Sequence, residues 1–258
     1  MSETIFNFKH FSVRQNLCAM KVGTDGVLLG SWIRCDDAKR VLDIGSGTGL
    51  IALMIAQRSK ATVDAIDIDK SAFIQSSENF RSSKWHHRLN AFHESIQAYS
   101  QSSKKYDVIV SNPPFFLNGF SSNDKLRNIA RISDETLNFD ELIECSADLM
   151  HKESKLSLIL PKKESDLFIE KCRVNGLFCL RKTMVYTKAN KEVKRVLLEF
   201  GYTNSACDTN LLCLRNEDGD YTREYLNLVE HFYLESHLSS VNSEKEIPIS
   251  SNSFSTGT

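Results

Sequence analysis

The stretch that decides the fold is RVLDIGSGTGLIALMIAQR, residues 40–58. It opens with a short apolar run, passes through three glycines at alternate positions, and then places apolar residues at helical spacing. A glycine lacks a Cβ, so such a turn lets the backbone adopt conformations that other residues avoid and approach a ligand closely. The stretch therefore predicts a strand, a tight turn and a helix, the arrangement that holds nucleoside-containing ligands in α/β proteins.

The alternation of strand and helix continues along the chain. A second apolar run, residues 62–68, is followed by Asp69, a good helix N-cap, and by a helical pattern through Phe80. A strand, a helix, a strand and a helix are then expected in turn at residues 106–110, 139–150, 155–160 and 164–175. Such alternation predicts a mostly parallel, doubly wound sheet. Two further β-rich runs, residues 178–187 and 193–202, are joined by a polar loop and predict a closing antiparallel hairpin.

The composition fits one main domain. The chain has 258 residues, of which 41% are hydrophobic, enough to bury one substantial core. We expect a single domain over residues 1–238, in which an N-terminal extension, residues 1–39, precedes the first strand of the sheet. Near its end, Thr222 is a candidate N-cap for a packed helix that includes Tyr225. Residues 239–258 are rich in Ser, Asn and Thr and predict a disordered tail.

Charge and cysteine content exclude several classes of protein. The formal net charge is -1, so any contact with nucleic acid must come from a local basic patch. Seven cysteines without a CxxC pair disfavour a disulfide framework or zinc ribbon, and seven histidines show no metal-ligand spacing, so no metal is assigned. Without a run suited to a signal peptide or a membrane span, we expect a cytoplasmic protein with no membrane partner. The oligomeric state stays open, with a monomer as the simplest expectation.

Acidic residues flank the glycine turn. Asp43 closes the first strand, and Asp67 closes the next one, about 20 residues after the turn, where a carboxylate can accept hydrogen bonds from the two hydroxyls of a ribose. Gly45, Gly47 and Gly49 give the spacing GxGxG. The dinucleotide fingerprint GxGxxG is absent, which disfavours an NAD-dependent dehydrogenase. A turn that needs glycine only for its shape is the plain structural alternative.

A second motif, Ser-Asn-Pro-Pro-Phe at residues 111–115, follows a predicted buried strand. It lies at the carboxyl edge of the sheet, where doubly wound folds place their chemistry. Asn112 offers an amide oxygen and Pro113 a backbone carbonyl as acceptors, Pro114 adds rigidity, and Phe115 offers a ring on which a flat substrate can stack. Two acceptors directed at an amino group would draw its lone pair out of conjugation and prepare it for transfer of an activated group. The alternative is a rigid turn without chemistry.

Both motifs resemble those of known enzymes. The glycine turn is similar to that of class I methyltransferases, which implies a Rossmann-like α/β fold with a mostly parallel seven-stranded sheet and S-adenosylmethionine as cofactor. Asn112 to Phe115 resembles the [DNS]PP[FYW] motif of methyltransferases that act on amines in planar systems. That group includes enzymes for adenine N6, cytosine N4, guanine N2 and glutamine side chains. The motif alone therefore leaves the target open.

The N-terminal segment narrows the resemblance to one family. Residues 8–15 and 18–32 look like the segment that precedes the glycine turn in bacterial tRNA1(Val) (adenine-37 N6)-methyltransferases. The resemblance continues through VLDIGSGTGLIALMIAQR, SNPPFF, RNIAR at residues 127–131 and NEDGDYTREYLNLVEHFYL at residues 216–234, and covers roughly residues 6–235. It implies methylation of an adenine N6 in tRNA, next to the anticodon.

The same resemblance implies roles for individual residues. Lys21, Thr24 and Asp25 would lie over the methionine end of the cofactor, Asp43 would meet its ammonium group, and Asp67 its ribose. One position departs from the pattern. Many relatives carry an Asp that accepts from the adenine amino group of the cofactor, and here Glu94 and Ser95 stand in its place, so either can serve.

Basic residues indicate where RNA would bind. Arg127 and Arg131 follow the Asn-Pro-Pro-Phe motif, and a second group lies between the two late strands, namely Lys188, Lys191, Lys194 and Arg195. Both groups are expected to hold phosphates beside a flipped base, although a solvated lysine-rich face is the alternative. The rival functions are methylation of guanine N2 in rRNA or of a release-factor glutamine, and a non-catalytic RNA-binding scaffold. The glutamine enzymes usually carry a separate N-terminal helical domain, for which the N-terminal extension leaves little room.

Overall fold

The computed structural model describes residues 4–113 and 138–238. Ten strands lie in this part of the chain: β1 (Ile5–Asn7), β2 (Ser12–Arg14), β3 (Arg40–Ile44), β4 (Thr62–Asp67), β5 (Leu89–His93), β6 (Tyr106–Ser111), β7 (Met150–Pro161), β8 (Phe178–Lys188), β9 (Val193–Gly201) and β10 (Asp208–Arg215). The α-helices in the same residues are α1 (Thr24–Trp32), α2 (Leu50–Arg58), α3 (Lys70–Arg81), α4 (Ile96–Tyr99), α5 (Phe139–Leu149), α6 (Lys162–Val174), α7 (Arg223–Val229) and α8 (Glu235–Leu238). One 3₁₀ turn spans His86–Arg88.

The main sheet has eight strands in the order β10-β8-β9-β7-β6-β3-β4-β5. Strands β3 to β7 pair in parallel, whereas β9 runs antiparallel to both β7 and β8. The parallel core and the closing hairpin are therefore confirmed. The expected number of seven strands is wrong, because β10 adds an edge strand that pairs in parallel with β8. The N-terminal extension contributes the separate antiparallel pair β1–β2 and the helix α1.

Both faces of the sheet are covered by apolar side chains. Along β3, Val41 belongs to the core cluster that contains α1 and α2, while its neighbour Leu42 belongs to the cluster that contains α5 and α6. Val63 and Ile66 on β4 divide in the same way. Because successive side chains of a strand point to opposite faces, a run such as RVLDI fills two cores at once.

Predicted helix starts are confirmed where a side chain caps the backbone. The Asp69 carboxylate accepts a hydrogen bond from the backbone N–H of Ser71 at 2.9 Å and caps α3. The Thr222 hydroxyl accepts from the backbone N–H of Tyr225 at 3.2 Å, and Tyr225 is buried against the core. The predicted tail, residues 239–258, lies outside the described residues. Within the described ranges, no helix has the length and apolar character needed to cross a membrane.

Candidate functional site

The glycine turn joins the carboxyl end of β3 to α2. Gly45, Gly47 and Gly49 have φ angles of 69°, 53° and 77°, in the left-handed region that favours glycine. A Cβ built on Gly49 would lie 2.5 Å from Cε1 of Phe80, so this position also allows α2 and α3 to pack closely. A Cβ on Gly47 would meet no described atom within 4 Å. The turn therefore presents open backbone at its tip and tight packing at its base.

Asp67 ties the turn to the neighbouring strand. One carboxylate oxygen accepts from the backbone N–H of Gly47 at 2.8 Å, and the other accepts from the backbone N–H of Asp69 at 2.9 Å. Burial raises the pKa of Asp67, although these two hydrogen bonds act in the opposite direction. A carboxylate has about four lone-pair positions, so Asp67 retains acceptor capacity for a further ligand.

Asp43 is a buried carboxyl group with one uncommitted oxygen. Its side chain is part of β3 and is 1% exposed. One oxygen accepts from the backbone N–H of Ala52 at 3.2 Å, while Oδ1 accepts no hydrogen bond from the described residues. Burial, with a smaller contribution from the nearby charge of Asp67, raises the pKa of Asp43 to about 7 against the lowering effect of the Ala52 N–H. Such a group favours a cationic ligand, which would stabilise its ionised form.

Asn112 supplies a second uncommitted acceptor, one strand away. The Ser111 hydroxyl donates to the carbonyl of Ile44 at 3.0 Å and fixes the end of β6 against the end of β3. The next residue, Asn112, has a buried Oδ1 that accepts no hydrogen bond within the described part of the chain, and Pro113 after it is buried. Pro114 and Phe115, the rest of the predicted motif, lie outside the described residues.

A cavity of about 520 Å³, including the solvent at its mouth, lies over these strand ends. Its lining combines the N-terminal segment, the glycine turn, the start of α2 and the motif after β6: Met20, Lys21, Val22, Gly23, Asp25, Gly26, Gly45, Ser46, Gly47, Thr48, Leu50, Ile51 and Asn112. The structure thus brings together five residues that were predicted from separate motifs. Thr24 precedes Asp25 in the first turn of α1 and is buried.

Helix α3 holds the N-terminal segment over the cavity through two buried amides. Asn79 accepts from the backbone N–H of Arg14 at 2.9 Å and donates to the carbonyls of Arg14 and Thr48 at 2.8 and 2.9 Å. Gln75 accepts from the backbone N–H of Leu17 at 3.0 Å. The sequence interpretation missed both residues. Their spacing of four on the buried side of an otherwise polar helix is the signal that could have found them.

Glu94 and Ser95 follow β5, at the edge of the sheet beside Asp67. The register pairs Asp67, the last residue of β4, with His93, so Glu94 and Ser95 lie just beyond the end of β4. The Ser95 hydroxyl accepts from the backbone N–H of Ala98 at 3.2 Å and caps α4, while Glu94 is exposed. Neither is among the described residues that line the cavity. Their role toward an adenine ring stays a prediction.

The predicted RNA-binding residues fall into three groups. Lys188, Lys191 and Lys194 are exposed at the turn between β8 and β9. Arg195 differs from them, because its Nε donates to Oδ2 of Asp25 at 2.8 Å and its side chain is only 13% exposed. Arg127 and Arg131 lie outside the described residues.

Two lysines that the sequence interpretation passed over also lie at this edge of the sheet. Lys162 and Lys163 follow Pro161 directly, and register pairs Pro161 with Arg195 across β7 and β9. Lys162 forms an ion pair with Asp166, and Lys163 is exposed. Cations are unfavourable at a helix N-terminus, so two lysines at the start of α6 suggest a use other than helix stability. Among the residues described, no group of His, Cys, Asp or Glu is arranged to hold a metal ion.

Comparison of the sequence with known proteins points to methyltransferases. The Methyltransferase small domain family matches residues 18–142. The tRNA1(Val) (adenine(37)-N6)-methyltransferase of Pseudoalteromonas translucida is 42% identical over 230 residues, which cover 89% of this chain and 98% of that protein. The protein of the same name from Trichodesmium erythraeum is 42% identical over 233 residues, 89% of this chain and 97% of its own length.

Solved structures show the same fold at much lower identity. A predicted O-methyltransferase from Agrobacterium tumefaciens has a TM-score of 0.62 and 17% identity, with 81% of this chain and 96% of that chain covered. A 16S rRNA N2 methyltransferase of T. thermophilus, solved with AdoMet and guanosine, has a TM-score of 0.53 and 16% identity, with 79% of this chain and 52% of that chain covered. The described architecture is therefore that of class I methyltransferases.

Proposed function

The chain belongs to the tRNA1(Val) (adenine(37)-N6)-methyltransferase family, and we propose that it transfers the methyl group of S-adenosylmethionine to the N6 amino group of the adenine at position 37 of tRNA1(Val). The observation that carries the proposal is a pair of buried, uncommitted acceptors at the ends of the adjacent strands β3 and β6, Oδ1 of Asp43 and Oδ1 of Asn112. The Asp43 oxygen suits the ammonium group of the cofactor, and the Asn112 oxygen suits the amine to be methylated. A tRNA substrate makes the cytoplasm the expected location.

The residues present fit S-adenosylmethionine. Asp43 would accept from its ammonium group, because burial leaves this carboxyl with an unsatisfied oxygen and a raised pKa. The open backbone at Gly45 and Gly47 would admit the cofactor close to the glycine turn, and Asp67 would accept from the ribose hydroxyls.

The remaining cofactor contacts follow from the cavity lining and the strand order. Lys21, Thr24 and Asp25 would cover the methionine end, with Gly49 fixing the start of α2 beneath it. Either Glu94 or Ser95 would reach the adenine ring, because they follow β5 next to Asp67. The cofactor supplies a methyl group that is already activated by a sulfonium centre.

Asn112 and Pro113 would orient the substrate amine. Hydrogen bonds from the two N–H groups of an exocyclic amine to the Asn112 amide oxygen and the Pro113 carbonyl would direct the nitrogen lone pair toward the cofactor methyl group. The buried position of Asn112 Oδ1 excludes water that would compete for these hydrogen bonds. Phe115 would stack on the base, and Pro114 would keep the loop rigid.

The tRNA would lie along the basic edge of the sheet. Lys188, Lys191 and Lys194 are exposed at the β8–β9 turn, and Lys163 is exposed near the end of β7. Arg127 and Arg131 would add phosphate contacts close to the flipped base. Because the whole chain has a formal net charge of -1, binding should rest on a few local contacts and should weaken steeply with salt.

Methyl transfer from labelled S-adenosylmethionine to tRNA, followed by mass spectrometry of the nucleosides, tests the proposal. The expected product is N6-methyladenosine at position 37, with loss of the product for Asn112→Ala. Asn175→Ala, an exposed asparagine that follows α6, is the matched control and should keep wild-type activity. Methylation of an rRNA fragment or of a glutamine peptide in place of tRNA would assign a different amine target. Tight tRNA binding without transfer to any substrate would favour a non-catalytic scaffold.

A further inference from the structure

We propose that Arg195 is a positioning residue for the cofactor cavity, which links the basic β8–β9 turn to the first turn of α1 through Asp25. The inference rests on the proposed function only in that the cavity is taken to bind S-adenosylmethionine. It gives Arg195 a role different from that of the neighbouring lysines, which remain candidates for phosphate contacts.

The first argument is the geometry of the ion pair. Nε of Arg195 donates to Oδ2 of Asp25 at 2.8 Å, and the two side chains are 13% and 5% exposed. Arg195 also donates from Nη1 to the carbonyl of Lys194 at 3.0 Å. A guanidinium committed to a buried carboxylate is poorly placed to neutralise a phosphate in solvent. If either charge is removed, the other remains buried without its partner, which is strongly unfavourable.

The second argument is the position of Asp25. It lines the cofactor cavity together with Lys21, Gly23 and Gly26, and it is buried in the first turn of α1. Asp25 also lines a separate recess of about 230 Å³, including the solvent at its mouth, together with Arg195 and Lys194. Asp25 therefore lines both the proposed cofactor cavity and the recess that contains Arg195.

The third argument is the direction of side chains along β9. Lys194 is exposed, whereas Leu197, two residues after Arg195, is buried in the core cluster that also contains Leu28 of α1. Alternation along β9 places Arg195 on the same face as Leu197, toward α1. Lys194 lies at an irregularity of the β8–β9 register, because Val185 pairs with Arg195 and Tyr186 with Val193. The two adjacent basic residues thus differ in exposure and in partner, and β9 holds them in place because it pairs with both β7 and β8.

Two measurements separate positioning from phosphate binding. A lost phosphate contact reduces the slope of log K for tRNA against log salt by about one and leaves cofactor affinity unchanged. A lost positioning contact weakens cofactor binding in the absence of tRNA and leaves the salt slope unchanged. Arg195→Met keeps the length of the side chain while removing its charge, and Lys194→Met is the matched control on the adjacent, exposed position.

The experiment measures S-adenosylmethionine affinity by calorimetry without tRNA, and tRNA affinity by filter binding across a salt series. We expect Arg195→Met and Asp25→Asn each to weaken cofactor affinity by about fivefold or more, and the double variant to lose no more than Asp25→Asn alone. Arg195→Lys should recover part of the loss, and circular dichroism should confirm that each variant is folded. Lys194→Met should lower the salt slope and keep cofactor affinity.

Specific outcomes would overturn the inference. Cofactor affinity within twofold of wild type for Arg195→Met would refute the positioning role, and a salt slope reduced as much as in Lys194→Met would assign Arg195 to the RNA surface. Additive losses of cofactor affinity in the double variant would show that Arg195 does not act through Asp25. If Arg195→Met or Asp25→Asn is too unstable to measure, the test uses Arg195→Lys and the double variant. Arg195→Lys keeps both charges of the ion pair, and the double variant removes both. A wild-type protein that binds no S-adenosylmethionine would refute the proposed function itself. If the protein methylates a substrate other than tRNA, the measurements of cofactor affinity still test the role of Arg195.

Discussion

The buried carboxyl group of Asp43 should bind the cofactor at the expense of stability, and Asp43→Asn should separate the two effects. The side chain is 1% exposed, and burial raises its pKa from 3.8 to about 7. In the unfolded chain the same carboxyl titrates near its ordinary value. Between these pKa values the folded protein binds a proton that the unfolded chain has released, so the contribution of Asp43 to stability decreases as pH rises and reaches its minimum above pH 7.

The magnitude follows from the pKa difference. One pKa unit corresponds to about 1.4 kcal/mol, so the penalty is about 4 kcal/mol at pH 8 but only about 1.5 kcal/mol at pH 5. An asparagine has no such titration. The free energy of unfolding of Asp43→Asn, measured relative to wild type, should therefore increase by about 2–3 kcal/mol between pH 5 and pH 8. Cofactor affinity should fall by about tenfold or more, because a charged acceptor of the ammonium group is lost.

Urea unfolding at several pH values between 5 and 8, without cofactor, measures the first effect, and calorimetry measures the second. Asp64→Asn is the control, because the pKa of this buried carboxyl group is lowered where that of Asp43 is raised. Burial alone would raise the pKa of Asp64, but hydrogen bonds from Tyr106, Asn90 and Tyr99 and the charge of Lys104 lower it below 3.8. The ionised Asp64 therefore contributes its full stabilisation above pH 3.8, and this stabilisation is lost only as pH falls through the pKa of the folded state. Asp64→Asn should be destabilised equally at pH 5 and pH 8. A flat difference for Asp43→Asn, or unchanged cofactor affinity, would refute the reasoning.

Three further predictions concern the cofactor, the reacting amine and the tRNA. Asp67→Ala should weaken S-adenosylmethionine binding by roughly 1.5–3 kcal/mol in calorimetry, and tight NAD binding by the wild type would contradict the assignment of this cavity. Asn112→Ala should lower the single-turnover rate by about 100-fold with unchanged cofactor affinity, whereas a decrease below about threefold would leave the motif as a turn. Replacing Arg127 and Arg131 together by Ala should flatten the salt dependence of tRNA binding by about one to two units, and Phe115→Ala should reduce methylation without changing that slope. Equal slopes for the double variant and wild type would remove these arginines from the interface.

Local patterns predicted the parallel core well and the edge of the sheet poorly. The strand β3, the glycine turn and α2 depend on neighbouring residues, so their periodicity and glycine spacing are visible in the sequence. The edge strand β10 was missed because only Leu212 and Leu214 of its eight residues are buried. Its structure depends on pairing with β8, and such long-range pairing leaves little trace in a local pattern.

The candidate site also contains residues that a local sequence motif predicts and residues whose role depends on a distant contact. Gly47 and Asn112 belong to motifs of a few consecutive residues, and the structure places both in the lining of one cavity, as their positions at strand ends predict. Asp43 is buried in β3, two residues before Gly45 of the same lining. The contact between Arg195 and Asp25 spans 170 residues of sequence. Charge patterning grouped Arg195 with the exposed lysines beside it, because a local pattern cannot show that Arg195 contacts a carboxylate 170 residues earlier in the chain.

The register of the sheet explains why one edge can serve both reactants. In the pairing of β3 with β6, Asp43 lies opposite Val110 and Ile44 opposite Ser111, so the next residues along the two strands are Gly45 and Asn112. Neighbouring strands are about 4.8 Å apart, so the glycine turn and Asn112, the proposed cofactor and amine sites, are held at roughly the separation of two molecules in contact. The Ser111 hydroxyl, bonded to the carbonyl of Ile44 at 3.0 Å, locks this register. Much of the orientation that methyl transfer requires is therefore built into the hydrogen bonding of the sheet before either reactant binds.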